Sequence, residues 1–156
     1  MSFEKASAYL KSYGLDGRIQ TFDISTATVD LAAAAVGCQP GMIAKTLSFM
    51  QKSGPVVIVI AGDCKIDNKK YKNTFGEKAQ MLSFDDASKL IGHQVGGVCP
   101  FGVNNGVKVY LDLSLKEYET VYPAAGSSNS AVELSPAELE ACLPLSKWVD
   151  TAIKRI

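Results

Sequence analysis

The chain has 156 residues, 47% of them apolar, and its 16 basic and 16 acidic side chains cancel. That size and composition are enough for one domain with a real core and exclude a disordered chain, while the longest apolar run, Pro55 to Ala61, is far too short to span a bilayer. With no net charge the protein as a whole exerts no long-range pull on nucleic acid, so any such contact has to come from a local patch.

The amino terminus reads as a helix, Phe3 to Tyr13, with Ser2 as N-cap and Gly14 as stop. A short strand is expected around Arg18 to Ile24, then a helix from Val29 to Val36 capped by Thr28 and ended by Gly37, then a turn at Pro40-Gly41. From Lys45 to Gln51 the period is that of a half-buried strand, with Lys45, Leu47 and Phe49 on the core side. Val56 to Ala61 is apolar throughout, as a strand covered on both faces would be, and two successive strands suggest an antiparallel pair.

Asp67 caps a predicted helix through Phe75, a strand follows near Ala79 to Leu82, and Ser83 caps Phe84 to Ile91. Val107 to Leu113 alternates most clearly of all. Tyr118 to Ala125 and Ala131 to Leu134 look like strands joined by the turn Gly126 to Asn129, Ser135 to Glu138 is a capping box, and Ser146 to Ile156 reads as a closing helix carrying Trp148. About seven short strands unevenly interrupted by helices argue for an α+β fold. Its core would be a mixed, mostly antiparallel curled sheet or partly open barrel with helices outside it. No repeat or linker divides it, so residues 1–156 are expected to form a single domain.

The cysteines Cys38, Cys64, Cys99 and Cys142 form no C-x-x-C pair and the only histidine is His93, so reduced thiols are expected and neither a metal nor a cofactor. Cys99 has no evident activating neighbour other than His93, six residues before it, which argues against a nucleophilic thiol. The start of the chain is polar and amphipathic rather than a basic and apolar leader, so a cytoplasmic protein with no membrane association is expected. Lys65, Lys69, Lys70, Lys72 and Lys78 stand against only Asp67 and Glu77; they form either a solvated helix face or a patch for phosphates.

The densest signal is Gly96-Gly97-Val98-Cys99-Pro100-Phe101-Gly102, a loop that can present main-chain N–H groups to a ligand. A lysine on the apolar side of its strand, as Lys45 is, either snorkels to solvent or meets an anion or carbonyl dipoles at a cavity mouth. Read in order, Lys45-Thr46-Leu47, Gly62-Asp63, the Gly96 to Gly102 loop, Asp112 and Gly126-Ser127-Ser128-Asn129 resemble the YbaK family, the prolyl-tRNA synthetase associated editing domains, over roughly residues 20 to 145.

The resemblance implies a compact barrel-like domain that hydrolyses the ester between a wrong amino acid and the 3′ end of a tRNA, usually that for proline, with prolyl-tRNA synthetase as a possible partner. Lys45 matches the family's essential lysine, and Gly96 and Pro100 match its Gly-x-x-x-Pro loop; these three are the implied catalytic set. Thr46, Leu47, Gly97, Val98, Cys99, Phe101, Gly126, Ser127, Ser128 and Asn129 are the implied substrate-binding residues, although relatives often carry a second glycine or an arginine in the last turn. Lys65, Lys69, Lys70 and Lys72 are the expected tRNA contacts.

An aminoacyl ester is already activated, so positioned amides and one cation suffice for its hydrolysis. A pocket lined by Leu47, Phe49, Val98 and Phe101 is expected to exclude proline. Relatives that remove alanine often read Lys-Asn-Leu, so Lys45-Thr46-Leu47 leans toward cysteine, with alanine as the other substrate considered. The competing readings are a module that binds aminoacyl-tRNA or a nucleotide without turnover, and an esterase indifferent to RNA.

Overall fold

The computed structural model describes residues 2–94 and 96–155. The chain opens with helix α1 (Ser2–Lys11), a 3-10 turn and strand β1 (Ile19–Thr21). Helix α2 (Val29–Val36) follows, its N-terminus capped by the Thr28 side chain accepting from the Leu31 amide and its end closed by Gly37 at φ +81°. The central hairpin is β2 (Ile43–Gln51) and β3 (Gly54–Ala61), longer by two residues at each start than the patterning predicts. A strand the patterning does not reveal, β4 (Cys64–Ile66), precedes α3 (Asn68–Phe75), and α4 (Phe84–Leu90) starts at its Ser83 cap. The second half contains β5 (Lys108–Asp112), β6 (Tyr122–Pro123), β7 (Ser130–Val132), α5 (Pro136–Ala141) with its capping box, β8 (Lys147–Val149) and β9 (Ala152–Lys154).

A five-stranded sheet in the order β6-β2-β3-β5-β8 carries the fold, accompanied by the two-stranded ladders β1-β7 and β4-β9. The long β2–β3 pairing is antiparallel, whereas β6, β5 and β8 join in parallel, so the curled mixed sheet holds more parallel neighbours than the hairpin pattern suggests. Parallel pairing needs crossover chain between partners, and the α3–α4 stretch between β3 and β5 supplies it. Val56 to Ala61 are fully buried, as an apolar run covered on both faces should be. One face packs α1 and α5 through Leu10, Val59, Leu111 and Leu139; the other packs α3 through Phe49, Ile58, Ile60 and Tyr71.

Three expectations give way. The expected helix Ser146 to Ile156 is replaced over its described residues, with Ile156 outside them: β8 joins β5 and β9 joins β4, and the bend between them is fixed by buried Asp112, which accepts from both the amide and the hydroxyl of Thr151 at 2.7 and 2.8 Å. Tyr118 to Ala125 and Ala131 to Leu134 meet only at the bridge Val121–Leu134, because β6 is drawn to β2 and β7 to β1. The strand expected near Ala79 to Leu82 is reduced to a single bridge, Phe49–Met81.

Candidate functional site

A cleft of about 440 Å³ lies along the outer edge of β2, between the N-terminal end of α2, the Met81 to Ala87 segment, Gly96 and Val98, and Ala124 to Ala131. Because the cleft meets the sheet at an edge, β2 reaches it from both faces: Lys45 and Leu47 from one, Ala44, Thr46 and Ser48 from the other. The edge is open there because of where its neighbours stop. Strand β6 stops at Pro123, beside Ala44, and the next backbone bonds to that edge come from Gln80 and Leu82 at Met50 and Ser48. Thr46 sits in the gap, and its Oγ1 is buried with no hydrogen-bond partner among the described residues.

The two glycine-containing loops are clasped together beside this edge. A Cβ on Gly97 would stand 2.5 Å from the Ser127 nitrogen and 2.6 Å from the Gly126 carbonyl carbon, so only glycine allows the backbones to touch. Gly96, at φ +83°, packs against Ala27 and Ser128, and the Thr26 amide donates to the Ser128 carbonyl at 2.6 Å. From behind, buried His93 ties the loop to α1. The Phe101 carbonyl can only accept, so the His93 Nε2–H donates to it at 2.6 Å, and Nδ1 accepts from the Ser2 hydroxyl at 2.7 Å. Burial holds the His93 pKa below its ordinary value, which keeps the ring neutral in this network.

Lys45 stands opposite Ile60 in the β2–β3 register and is half-buried. Among the described residues it has no hydrogen bond or ion pair, and its pKa is lowered, first by desolvation and then by the Arg155 charge, with Cys64 and Asp63 opposing. An ammonium that is partly stripped of water and lacks a carboxylate partner is poised to receive an anionic or carbonyl oxygen.

Of the residues singled out in the sequence, Lys45, Thr46, Leu47, Gly96 and Val98 line the cleft. Cys99 and Phe101 do not: both are wholly buried, Phe101 against Tyr9 and Cys99 with its thiol pushed up to about 12 by burial, so they hold the loop rather than meet a ligand. Phe49 is likewise buried under Tyr71, which removes it and Phe101 from the expected pocket wall. Pro100 and Gly97 are buried, Gly97 within the clasp. Gly126 is buried against Ser2 and Phe3, and the Ser127 hydroxyl is spent on Asn129 and Ser130; Asn129 donates to the Phe22 carbonyl, and Ser128 is exposed. The cleft wall near that turn is the next residue, Ser130.

Thr26, Ala27, Met81, Phe84 and Tyr122 are among the lining residues that the sequence reading missed; the Thr28 and Ser83 caps were the available signal, since each starts a helix beside the cleft. Phe84 and Met81 are unusually exposed for their type, at 75% and 61%, and they form an apolar lip. Away from the cleft, Lys69, Lys72 and Lys78 line a second groove of about 350 Å³ with Asn68 and Ala79. Lys70 instead pairs with Asp150 at 3.0 Å and donates to the Ala152 carbonyl, and Lys65 is exposed on β4.

The family described as "Aminoacyl-tRNA editing domain" matches residues 24–142, a span that contains the cleft and both loops. An uncharacterized protein of Bacillus subtilis is 44% identical over 151 residues, covering 96% of each chain. A candidate Cys-tRNA(Pro)/Cys-tRNA(Cys) deacylase of Enterococcus faecalis is 33% identical across 76% of this chain and 72% of its own length. Among solved structures, a candidate trans-editing enzyme for prolyl-tRNA synthetase superposes with a TM-score of 0.87 at 28% identity, covering 99% of this chain and 98% of that one.

Proposed function

Because the chain belongs to the aminoacyl-tRNA editing domain family, we propose that it deacylates mischarged aminoacyl-tRNA in trans, with cysteine or alanine on the tRNA for proline as the substrate. The observation that carries this reading is the half-buried Lys45, without a hydrogen bond or ion pair among the described residues, at a cleft whose walls include an open strand edge and the Gly96 loop. In the reaction a water oxygen attacks the ester carbonyl carbon, the bond from that carbon to the ribose oxygen breaks, and the ribose oxygen takes up a proton. The products are free amino acid and uncharged tRNA.

Lys45 would act as a fixed cation toward the developing oxyanion or a phosphate, and main-chain N–H groups would complete its stabilisation. Gly97 and Pro100 would serve by holding the loop rigid, so that Gly96 and Val98 keep their position in the wall. The need for such a step is physical: a synthetase pocket separates side chains that differ by one methylene by only about 1–3 kcal/mol, so small competitors of proline pass it. Contact with the tRNA body is assigned to Lys69 and Lys72, with Lys78 joining them in the same groove, and to the exposed Lys65 on β4.

The test is a panel of Cys-, Ala-, Ser- and Pro-tRNA(Pro), each followed for release of its amino acid. Release of cysteine or alanine with proline left in place is expected. Tight tRNA binding without turnover would replace this reading by a binding module, and equal activity on simple aminoacyl esters would remove the RNA from it.

A further inference from the structure

The backbone bonds at the ends of the cleft fix which way β2 turns its polar groups. The Met50 amide donates to the Gln80 carbonyl at 2.9 Å, and the Ser48 carbonyl accepts from the Leu82 amide at 3.1 Å, both on the edge away from β3. Alternation along the strand then turns the N–H and C=O of Thr46 toward that same edge. No neighbour covers them: β6 pairs with Ile43 and Ala44 only, and no backbone partner for Thr46 is found on this side among the described residues. The adjoining Thr46 hydroxyl is also buried and unpartnered, so three polar groups of one residue stand in the cleft wall without a partner among the described residues. Buried polar groups are nearly always paired, and a cluster of unpaired ones marks where a ligand supplies the partners.

We infer that this gap in β2 anchors the amino-acid part of the substrate by pairing with it as a neighbouring strand would, an inference that rests on the deacylase reading above. An aminoacyl ester carries an amine and a carbonyl on one carbon, the arrangement by which a residue of an adjacent strand exchanges two bonds with its partner. The Thr46 carbonyl accepts from the α-ammonium, and the Thr46 amide donates to the ester carbonyl oxygen, where negative charge gathers as water adds. The anchor reads what every amino acid shares, so discrimination by size falls to Leu47, Val98 and the apolar wall around them.

The experiment compares Cys-tRNA(Pro) with its des-amino analogue, 3-mercaptopropionyl-tRNA(Pro), each rate divided by spontaneous hydrolysis. For the wild-type protein the acceleration should fall at least tenfold when the amine is missing. Thr46→Pro deletes the outward amide while leaving the β2–β3 ladder intact, since proline is tolerated on a strand edge, and should cost about 10²–10³ in kcat. Thr46→Val keeps both backbone groups, so it should lose less of the rate than Thr46→Pro and should keep the penalty for the missing amine. If Thr46→Pro fails to fold by circular dichroism, the analogue comparison on the wild type decides alone. Equal acceleration of both substrates, or a Thr46→Val defect as large as that of Thr46→Pro, overturns the anchoring role while the deacylase reading stands; a wild-type protein inert on Cys-, Ala- and Ser-tRNA(Pro) overturns that reading and the anchor with it.

Discussion

Gly97 and Ser127 touch backbone to backbone: a Cβ at Gly97 would fall 2.5 Å from the Ser127 nitrogen. This contact ties the glycine-rich loop to the 126–129 turn and so sets the distance between Gly96 and the Ser130 wall of the cleft. Gly97→Ala should force the two loops apart, at an overpacking cost of about 1–3 kcal/mol. Urea denaturation should register the loss, and deacylation should fall further than stability alone explains. A variant with wild-type stability would mean that the clasp yields easily.

Lys45→Met tests the cation apart from its packing. The stem is kept and a partly desolvated charge with no ion pair among the described residues is removed, so thermal stability should be unchanged or higher, while deacylation falls by about 10²-fold or more. Loss of stability together with activity would assign Lys45 to the scaffold.

The pH dependence of the same residue follows from its lowered pKa. Lysine in this setting loses its proton at lower pH than in water, so the enzymatic rate, corrected for spontaneous hydrolysis, should decline on the alkaline side below the ordinary lysine value of 10.5. Lys45→Arg should move that decline to higher pH, because a guanidinium stays charged. An alkaline limb identical in both proteins would separate it from Lys45.

The lysine groove gives a salt-dependent prediction. Replacing Lys69 and Lys72 by alanine should weaken tRNA binding and reduce the slope of log affinity against log salt by about 1.4–1.8, at 0.7–0.9 per phosphate contact. Lys70→Ala should change the slope less, since its charge is already engaged by Asp150. Equal effects of the two would count against the groove.

His93 predicts acid sensitivity. Its folded pKa lies below the unfolded value, so the unfolded chain binds more protons once the pH drops under about 6.5, and stability falls from there until the folded ring also titrates. Denaturation midpoints between pH 7.5 and 5.5 should drift downward. Loss of the ring bonds to Ser2 and Phe101 in His93→Leu should lower stability at neutral pH but flatten that drift, and an unchanged drift would assign it to other groups.

Local signals in the chain were strong where one residue dictates one bond. The caps at Thr28, Asp67, Ser83 and Ser135 each accept the amide they promise, and the alternation of β5 and the apolar run of β3 mark real strands. The closing segment misled because three-residue strands such as β8 and β9 are too short for a period, and their partners are more than thirty residues away. The loop at Gly96 was recognisable by composition, but not the division of labour inside it, in which Val98 faces the cleft while Cys99 and Phe101 are buried.

By itself the amino-acid sequence determined the helices, the central hairpin, the family resemblance and Lys45 as the residue to watch, because these depend on neighbours a few positions apart or on motifs read in order. Tertiary structure alone decided that the cleft lies at an edge of the sheet, that Thr46 is left without a strand beside it, and that Lys69, Lys72 and Lys78 share a groove while Lys70 turns away. Edges and gaps arise from where distant strands stop, and Pro123 ending β6 beside Ala44 is a fact about pairing that no single stretch of chain contains.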